Sequence, residues 1–232
     1  MTKAFRLAVP LLAVLLLTIA PARAFDAGTG GPQWADTFMS RLQALALLQT
    51  LNAELLSNAS ATLTLDRWCA AHNMASPPTI VADRVRGQDK PATPEVRALL
   101  KVSEEEPVGY RRVRLRCGDN VLSEADNWYV PARLTPEMNR QLETTDIAFG
   151  RAVKPLNFRR STLAAKLLWA PLPVGWEMNA TLLPADAPGP LAVPPFVLEH
   201  RAVLDLPDGT PFSALVETYT RQVLAFPVRV QR

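Results

Sequence analysis

The most informative segment runs from Val108 to Pro131 and reads VGYRRVRLRCGDNVLSEADNWYVP. Two β-prone runs, Val108 to Cys117 and Val121 to Val130, flank Gly118-Asp119-Asn120. Such a turn favours an antiparallel hairpin, because Gly, Asp and Asn tolerate the left-handed backbone that a tight reversal needs. Side chains alternate along a strand, so Val113, Leu115 and Cys117 point one way while Tyr110, Arg112, Arg114 and Arg116 point the other. One face of this strand is therefore apolar and the other basic. Pro131 ends the second run, since proline cannot donate to a strand ladder.

A second hairpin is expected near the C-terminus, with Phe196 to Leu206, a turn at Asp208-Gly209, and Phe212 to Phe226. Upstream, Trp34, Phe38, Leu42, Leu45, Leu48, Leu51 and Leu55 recur at steps of three and four, which predicts a helix with one apolar stripe ending near Ser57-Asn58. Thr64 is placed as the N-cap of a short helix through Trp68 and Cys69. Thr93-Pro94-Glu95 and Thr135-Pro136-Glu137 both carry a cap followed by proline, and each starts a further helix. Thr79 to Val85 is β-prone, and residues 156 to 170 can form one or two strands. Pro171 to Pro195 is proline-rich and reads as an irregular loop over the domain. Hairpins with helices before and between them predict an α+β domain, an antiparallel β-sheet with helices packed on one face. No alternating βαβ pattern, G-x-G-x-x-G or G-K-[ST] motif is present.

The first 24 residues combine Lys3 and Arg6, an apolar run from Leu7 to Ala20, and Ala22-Arg23-Ala24, the layout of a secretory signal peptide. The run is too short for a span of about 20 residues, so cleavage after Ala24 is expected, with no stable membrane span afterwards and an exported, periplasmic or secreted product. Residues 25 to 33 form a flexible leader, and 34 to 232 a single domain. Cleavage removes three basic residues, so 25 basic against 22 acidic becomes 22 against 22. A neutral mature chain lacks the basic surface that nucleic acid requires, and no nucleic-acid partner is expected. Cys69 and Cys117 would both meet an oxidising compartment, where a disulfide or two buried thiols are the alternatives.

Two histidines, His72 and His200, and two cysteines without CxxC or HExxH spacing give no zinc signature. His200 alternates with Leu198, Ala202 and Leu204, as a core histidine would. No G-x-S-x-G is present, and neither cysteine lies beside an obvious base. What remains is an arginine-bearing strand: arginines on a rigid strand either grip a ligand carboxylate through two parallel hydrogen bonds or stand solvated.

The segment R-V-R-L-R-C-G-D from Arg112, the strand end Trp128-Tyr129-Val130-Pro131, and Thr145 to Arg151 with Phe149-Gly150-Arg151 resemble the chorismate lyase family. Gly209-Thr210-Pro211 followed by Glu217 is similar to that family's C-terminal glutamate strand, and Leu65-Asp66-Arg67-Trp68 through Met74 to its first helix and lid. The resemblance implies a chorismate lyase-like fold with a closed pocket. It places Arg112 as the carboxylate-binding and catalytic arginine, Phe149 and Gly150 as backbone contacts to the ligand, and Glu217 as the group facing a ring hydroxyl. The implied activity is a cofactor-independent carbon-oxygen lyase releasing pyruvate from chorismate or a related carboxylated ring. The alternative is a non-catalytic module binding a small aromatic or cyclic carboxylate, since the fold also serves as a sensor domain in bacterial transcription regulators.

Overall fold

The computed structural model describes residues 34–178 and 185–226; the signal peptide and leader read from the sequence lie outside them. Helix α1 spans Phe38–Ser57 and α2 spans Ala61–Ala71. Strand β1 (Ile80–Val85), helix α3 (Pro94–Leu100), and strands β2 (Gly109–Cys117) and β3 (Asn120–Tyr129) follow. Helices α4 (Pro136–Thr144) and α5 (Phe149–Ala152) precede β4 (Arg159–Leu167), β5 (Phe196–Asp205) and β6 (Pro211–Thr220). The six strands form one sheet in the order β1-β2-β3-β6-β5-β4, every neighbouring pair antiparallel.

Local chemistry sets the element ends. Thr93 Oγ1 accepts from Val96 N and Thr135 Oγ1 from Met138 N, each with proline in the first turn. The α2 cap is Ser60, whose Oγ accepts from Leu63 N; Thr64 is instead buried inside the helix, its hydroxyl donating back to Ser60 O. Four residues earlier than expected, this start brings residues 59–62 over the sheet. Gly118 turns β2 into β3 at φ +56°, a conformation that glycine adopts without Cβ strain.

Cross-strand register sorts the side chains. Arg111, Val113, Leu115 and Cys117 share one face with Ala125, Asn127, Leu215, Glu217, His200 and Ala202. Helices α1 and α2 cover one part of this face through Leu48, Leu51, Leu55, Leu65 and Trp68. Met138 and Leu142 of α4 and Phe149 of α5 cover another, against Tyr129, Leu204, Phe212 and Leu215. The short α3 lies on the opposite face at one end, where Leu100 packs with Trp128, Val130, Val203 and Ala214.

Along β2 and its neighbours, away from α3, that opposite face carries an ionic stripe. Arg112 pairs with Glu124 at 3.0 Å and Asp126 at 3.4 Å, Arg114 with Glu124 at 3.1 Å, and Arg116 with Asp83. The basic stripe of β2 is thus matched by carboxylates on β1 and β3, an arrangement that favours the observed register.

Two covalent and polar ties fix α2 to the sheet. Cys69 and Cys117 form a disulfide with Cα atoms 6.0 Å apart. Arg151 Nη2 donates to both oxygens of Asp66 at 2.7 Å while its Nη1 donates to Ile80 O at 2.6 Å, so α5, α2 and β1 meet at one guanidinium. Among the described residues, no helix is long and apolar enough to cross a membrane.

Candidate functional site

A hollow opens between the helix-covered face of the sheet and the segments above it. Its floor is built by Arg111, Val113 and Leu115 of β2, Ala125 and Asn127 of β3, Leu215 and Glu217 of β6, Leu204 of β5 and Arg160 of β4. Residues 59–62 at the start of α2, Phe149 and Gly150 of α5, and Phe158 form the cover. Water centres can occupy about 40 Å³ of it, room for roughly three waters at about 10–15 Å³ each. The hollow suits a compact ligand.

Gly150 shapes the cover. A Cβ there would stand 2.6 Å from Ser60 Oγ, the atom that caps α2, so only glycine lets α5 approach the helix start this closely.

Arg111 is the dominant polar group. The residue is 2 % exposed, its Nη2 donates to Thr145 O at 3.3 Å, and its Nε and Nη1 are buried with no partner among the described residues. Burial, aided by repulsion from Arg84, pushes its pKa down to about 10, so it remains a cation at neutral pH. A buried guanidinium without a carboxylate is costly unless something completes its hydrogen bonds.

The second guanidinium is matched in charge, although its Nε too has no partner among the described residues. Arg160 Nη2 donates to Glu217 Oε2 at 2.6 Å, with side chains only 3 % and 8 % exposed. Burial disfavours the Arg160 cation, but Glu217 outweighs that and its pKa is raised. Tyr219 OH also donates to Glu217 Oε2, at 3.1 Å; burial first, then the Glu217 charge, push this phenol well above its ordinary pKa. His200 lies across from Glu217 in the register, its Nε2 2.8 Å from Asn52 Oδ1, and burial depresses its pKa. Two guanidiniums and one carboxylate leave the hollow with one positive charge, centred on Arg111.

The residues singled out from the sequence fall in two places. Phe149, Gly150 and Glu217 line this hollow together. Arg112 does not: it stands on the opposite face, its guanidinium held by Glu124 and Asp126, and the sheet separates it from Glu217. The arginine beside Glu217's hollow is its neighbour Arg111, and the reason is strand parity, since Arg111 shares the alternation of Val113 and Leu115. Arg160, absent from the sequence-based set, is the partner that engages Glu217. Among the described residues no group of three or more His, Cys, Asp or Glu is arranged to hold a metal ion.

No family model matches this chain. A protein of Sinorhizobium fredii (strain NBRC 101917 / NGR234) described as "Uncharacterized protein y4mC" is 62% identical over 213 residues, covering 91% of this chain and 89% of that protein. Among solved structures, PhnF from Mycobacterium smegmatis is similar with a TM-score of 0.47 and 15% identity, over 75% of this chain and 69% of that one. The effector domain of PhnF gives 0.44 and 15%, over 71% and 96%. The possible transcriptional regulator YydK from Bacillus subtilis gives 0.37 and 17%, over 66% of this chain and 62% of YydK. These structural similarities are too distant to carry a ligand or an activity across.

Proposed function

This chain belongs to the family of y4mC, and we propose that it is a binding module that takes a compact carboxylate, an aromatic or cyclic acid, onto Arg111. The observation that carries this reading is the pair of unpartnered, buried nitrogens of Arg111 in a hollow walled by Val113, Leu115, Phe149, Phe158 and Leu215. A carboxylate supplies two acceptors to one guanidinium and neutralises its charge, and the apolar wall suits a ring. A ring exceeds the room of about three waters, so binding requires the cover formed by residues 59–62, Phe149 and Phe158 to give way. A net charge of plus one favours a monoanion at this position.

Binding without turnover is the reading we favour over pyruvate elimination. A lyase acid or base must be free to take up or give a proton near the reacting atoms. Glu217 Oε2 instead receives Arg160 Nη2 and Tyr219 OH, so this carboxylate serves first as a buried counterion. Its Oε1 carries neither bond and is the atom we assign to a ligand hydroxyl.

We also propose that the protein is exported and works in the periplasm or outside the cell. The apolar N-terminal segment supports this, as does the Cys69–Cys117 bridge, a bond that persists in oxidising compartments. The mass of the protein recovered from a periplasmic or secreted fraction tests export; the expected mature chain starts at Phe25.

Incubating the purified protein with chorismate while following pyruvate, and separately titrating 4-hydroxybenzoate, tests the functional choice. Saturable hydroxybenzoate binding with no pyruvate above the uncatalysed background is the expected result. Enzyme-dependent pyruvate release would replace the binding module with the lyase.

A further inference from the structure

A second hollow lies where β1 gives out. The β1–β2 register ends at Val85 opposite Arg112, while β2 continues back through Arg111 and Tyr110 without a β1 partner. The chain after Val85 swings away through Arg86, Gly87 (φ +74°) and Gln88. Between this turn and the bare edge of β2 is a polar space in which water centres can occupy about 190 Å³.

Its lining is cationic. Arg84, Arg86, Arg111 and Arg112 line it with Gln88 and Tyr110, and among the described residues no carboxylate does; the Arg112 guanidinium itself turns to Glu124 and Asp126 on β3. The acids that balance these arginines stand outside. Asp146 lies 3.7 Å from Arg86, with both side chains 63 % exposed, and Glu124 and Asp126 hold Arg112 from the ionic face of the sheet. Arg84 donates to the carbonyls of Leu142 and Glu143, contacts that leave its charge uncompensated. Arg111 lines this space as well as the apolar hollow and brings the two unpartnered, buried nitrogens described above.

We propose that this arginine-lined space is a second anion site, contiguous with the carboxylate pocket through Arg111, and that it takes a multiply charged oxyanion of the phosphate or phosphate-ester class. The planar guanidiniums of Arg84, Arg86 and Arg111 would offer paired donors to a tetrahedral group with acceptors on every side. The inner hollow, with one net positive charge and apolar walls, suits a monoanion; in the outer one Arg112 is matched by Glu124 and Asp126 and Arg86 faces Asp146, so Arg84 and Arg111 are the two charges left unmatched there, which suits a dianion. The site shares Arg111 with the carboxylate reading but stands on Arg84 and Arg86 independently of it.

The test uses the mature protein with inorganic phosphate as the probe for the outer site and benzoate for the inner one, titrated calorimetrically at constant ionic strength so that screening does not vary. Phosphate should bind saturably. Arg86→Gln, an exposed and structurally undemanding change, should weaken it about tenfold, the scale of one charge-assisted contact, and Arg86→Glu should weaken it further. Benzoate affinity should stay within about twofold in Arg86→Gln, because a screened, exposed charge outside the inner hollow contributes little there. Arg114→Gln, on the ionic face and outside both linings, should leave phosphate unchanged. Absence of saturable phosphate binding, or phosphate affinity indifferent to both Arg86 variants, overturns the second site. Phosphate binding that responds to Arg111→Met alone also overturns it, by reducing two sites to one. Failure of benzoate to bind while phosphate still responds to Arg86 removes the inner carboxylate reading and leaves this one standing.

Discussion

Arg160 and Glu217 form an ion pair across the floor of the inner hollow, Nη2 to Oε2 at 2.6 Å, with less than a tenth of either side chain exposed. Removing one member leaves the other charged and buried, which costs about 3–5 kcal/mol in comparable pairs. Glu217→Gln should therefore lower unfolding free energy by roughly 3 kcal/mol in urea denaturation. The double variant Arg160→Met with Glu217→Gln should recover most of that loss, since the orphaned charge is gone and an acceptor for Tyr219 OH remains. Additive effects of the two single changes would mean that the pair is not coupled.

Arg111 predicts the opposite balance. Its Nε and Nη1 have no partner among the described residues, so the residue is a burden on stability that the proposed carboxylate would relieve. Arg111→Met keeps the aliphatic volume and removes the charge. The unliganded variant should be at least as stable as the parent, by about 1 kcal/mol or more, as read from the thermal midpoint. A clear loss of stability would show that the guanidinium is satisfied within the fold.

The pH dependence of stability should carry a contribution from His200. Burial depresses its folded pKa, Arg160 adds to that, and Glu217 opposes it. Below the ordinary value of 6.5 the unfolded chain takes up a proton that the folded chain resists, so stability is full above pH 6.5 and falls as the pH drops toward the depressed folded value. The slope from one such group is at most about 1.4 kcal/mol per pH unit. Denaturation at pH 7, 6 and 5 should show a shallower decline in His200→Gln than in the parent; identical declines would exclude His200 as the source.

The Cys69–Cys117 bridge closes a separation of 48 residues. Loop-closure entropy for that length stabilises the fold by about 4 kcal/mol. Urea midpoints with and without a reductant should differ accordingly, and coincident midpoints would show that the bridge contributes nothing.

Much of this fold can be read from residue order, because its elements are bounded by local chemistry. The β2–β3 hairpin follows from Gly118-Asp119-Asn120 and from Pro131, and helices α3 and α4 follow from their Thr-Pro starts. Residue order leaves two starts for α2 because Ser60 and Thr64 both have the hydroxyl of an N-cap, and only packing decides between them; Thr64 is buried and bonds back into the helix. The α1 stripe shifts for a similar reason: Ala44, Leu48, Leu51 and Leu55 are buried, whereas Leu42 and Leu45 are only partly so.

The site was legible in part. Phe149, Gly150 and Glu217, taken from the family resemblance, line one hollow, whereas the arginine taken from it, Arg112, does not. Arg111 falls in the same set as Val113, Leu115 and Cys117, and a lone arginine on an apolar strand face is the signal that selects it. Arg160 gave no such signal. Strand β4 lies at the sheet edge with mostly exposed side chains, and a shift in its register with β5 disrupts any simple alternation. Only the three-dimensional sheet order brings it opposite Glu217.

The central claim is that the guanidinium of Arg111 recognises a ligand carboxylate from inside the fold. Calorimetric titration of 4-hydroxybenzoate into the parent protein and into Arg111→Met measures this most directly, with Arg114→Gln on the ionic face as the comparison. The account predicts saturable binding to the parent, a loss of at least about tenfold in Arg111→Met, and no change in Arg114→Gln. Equal affinity of the parent and Arg111→Met would contradict it.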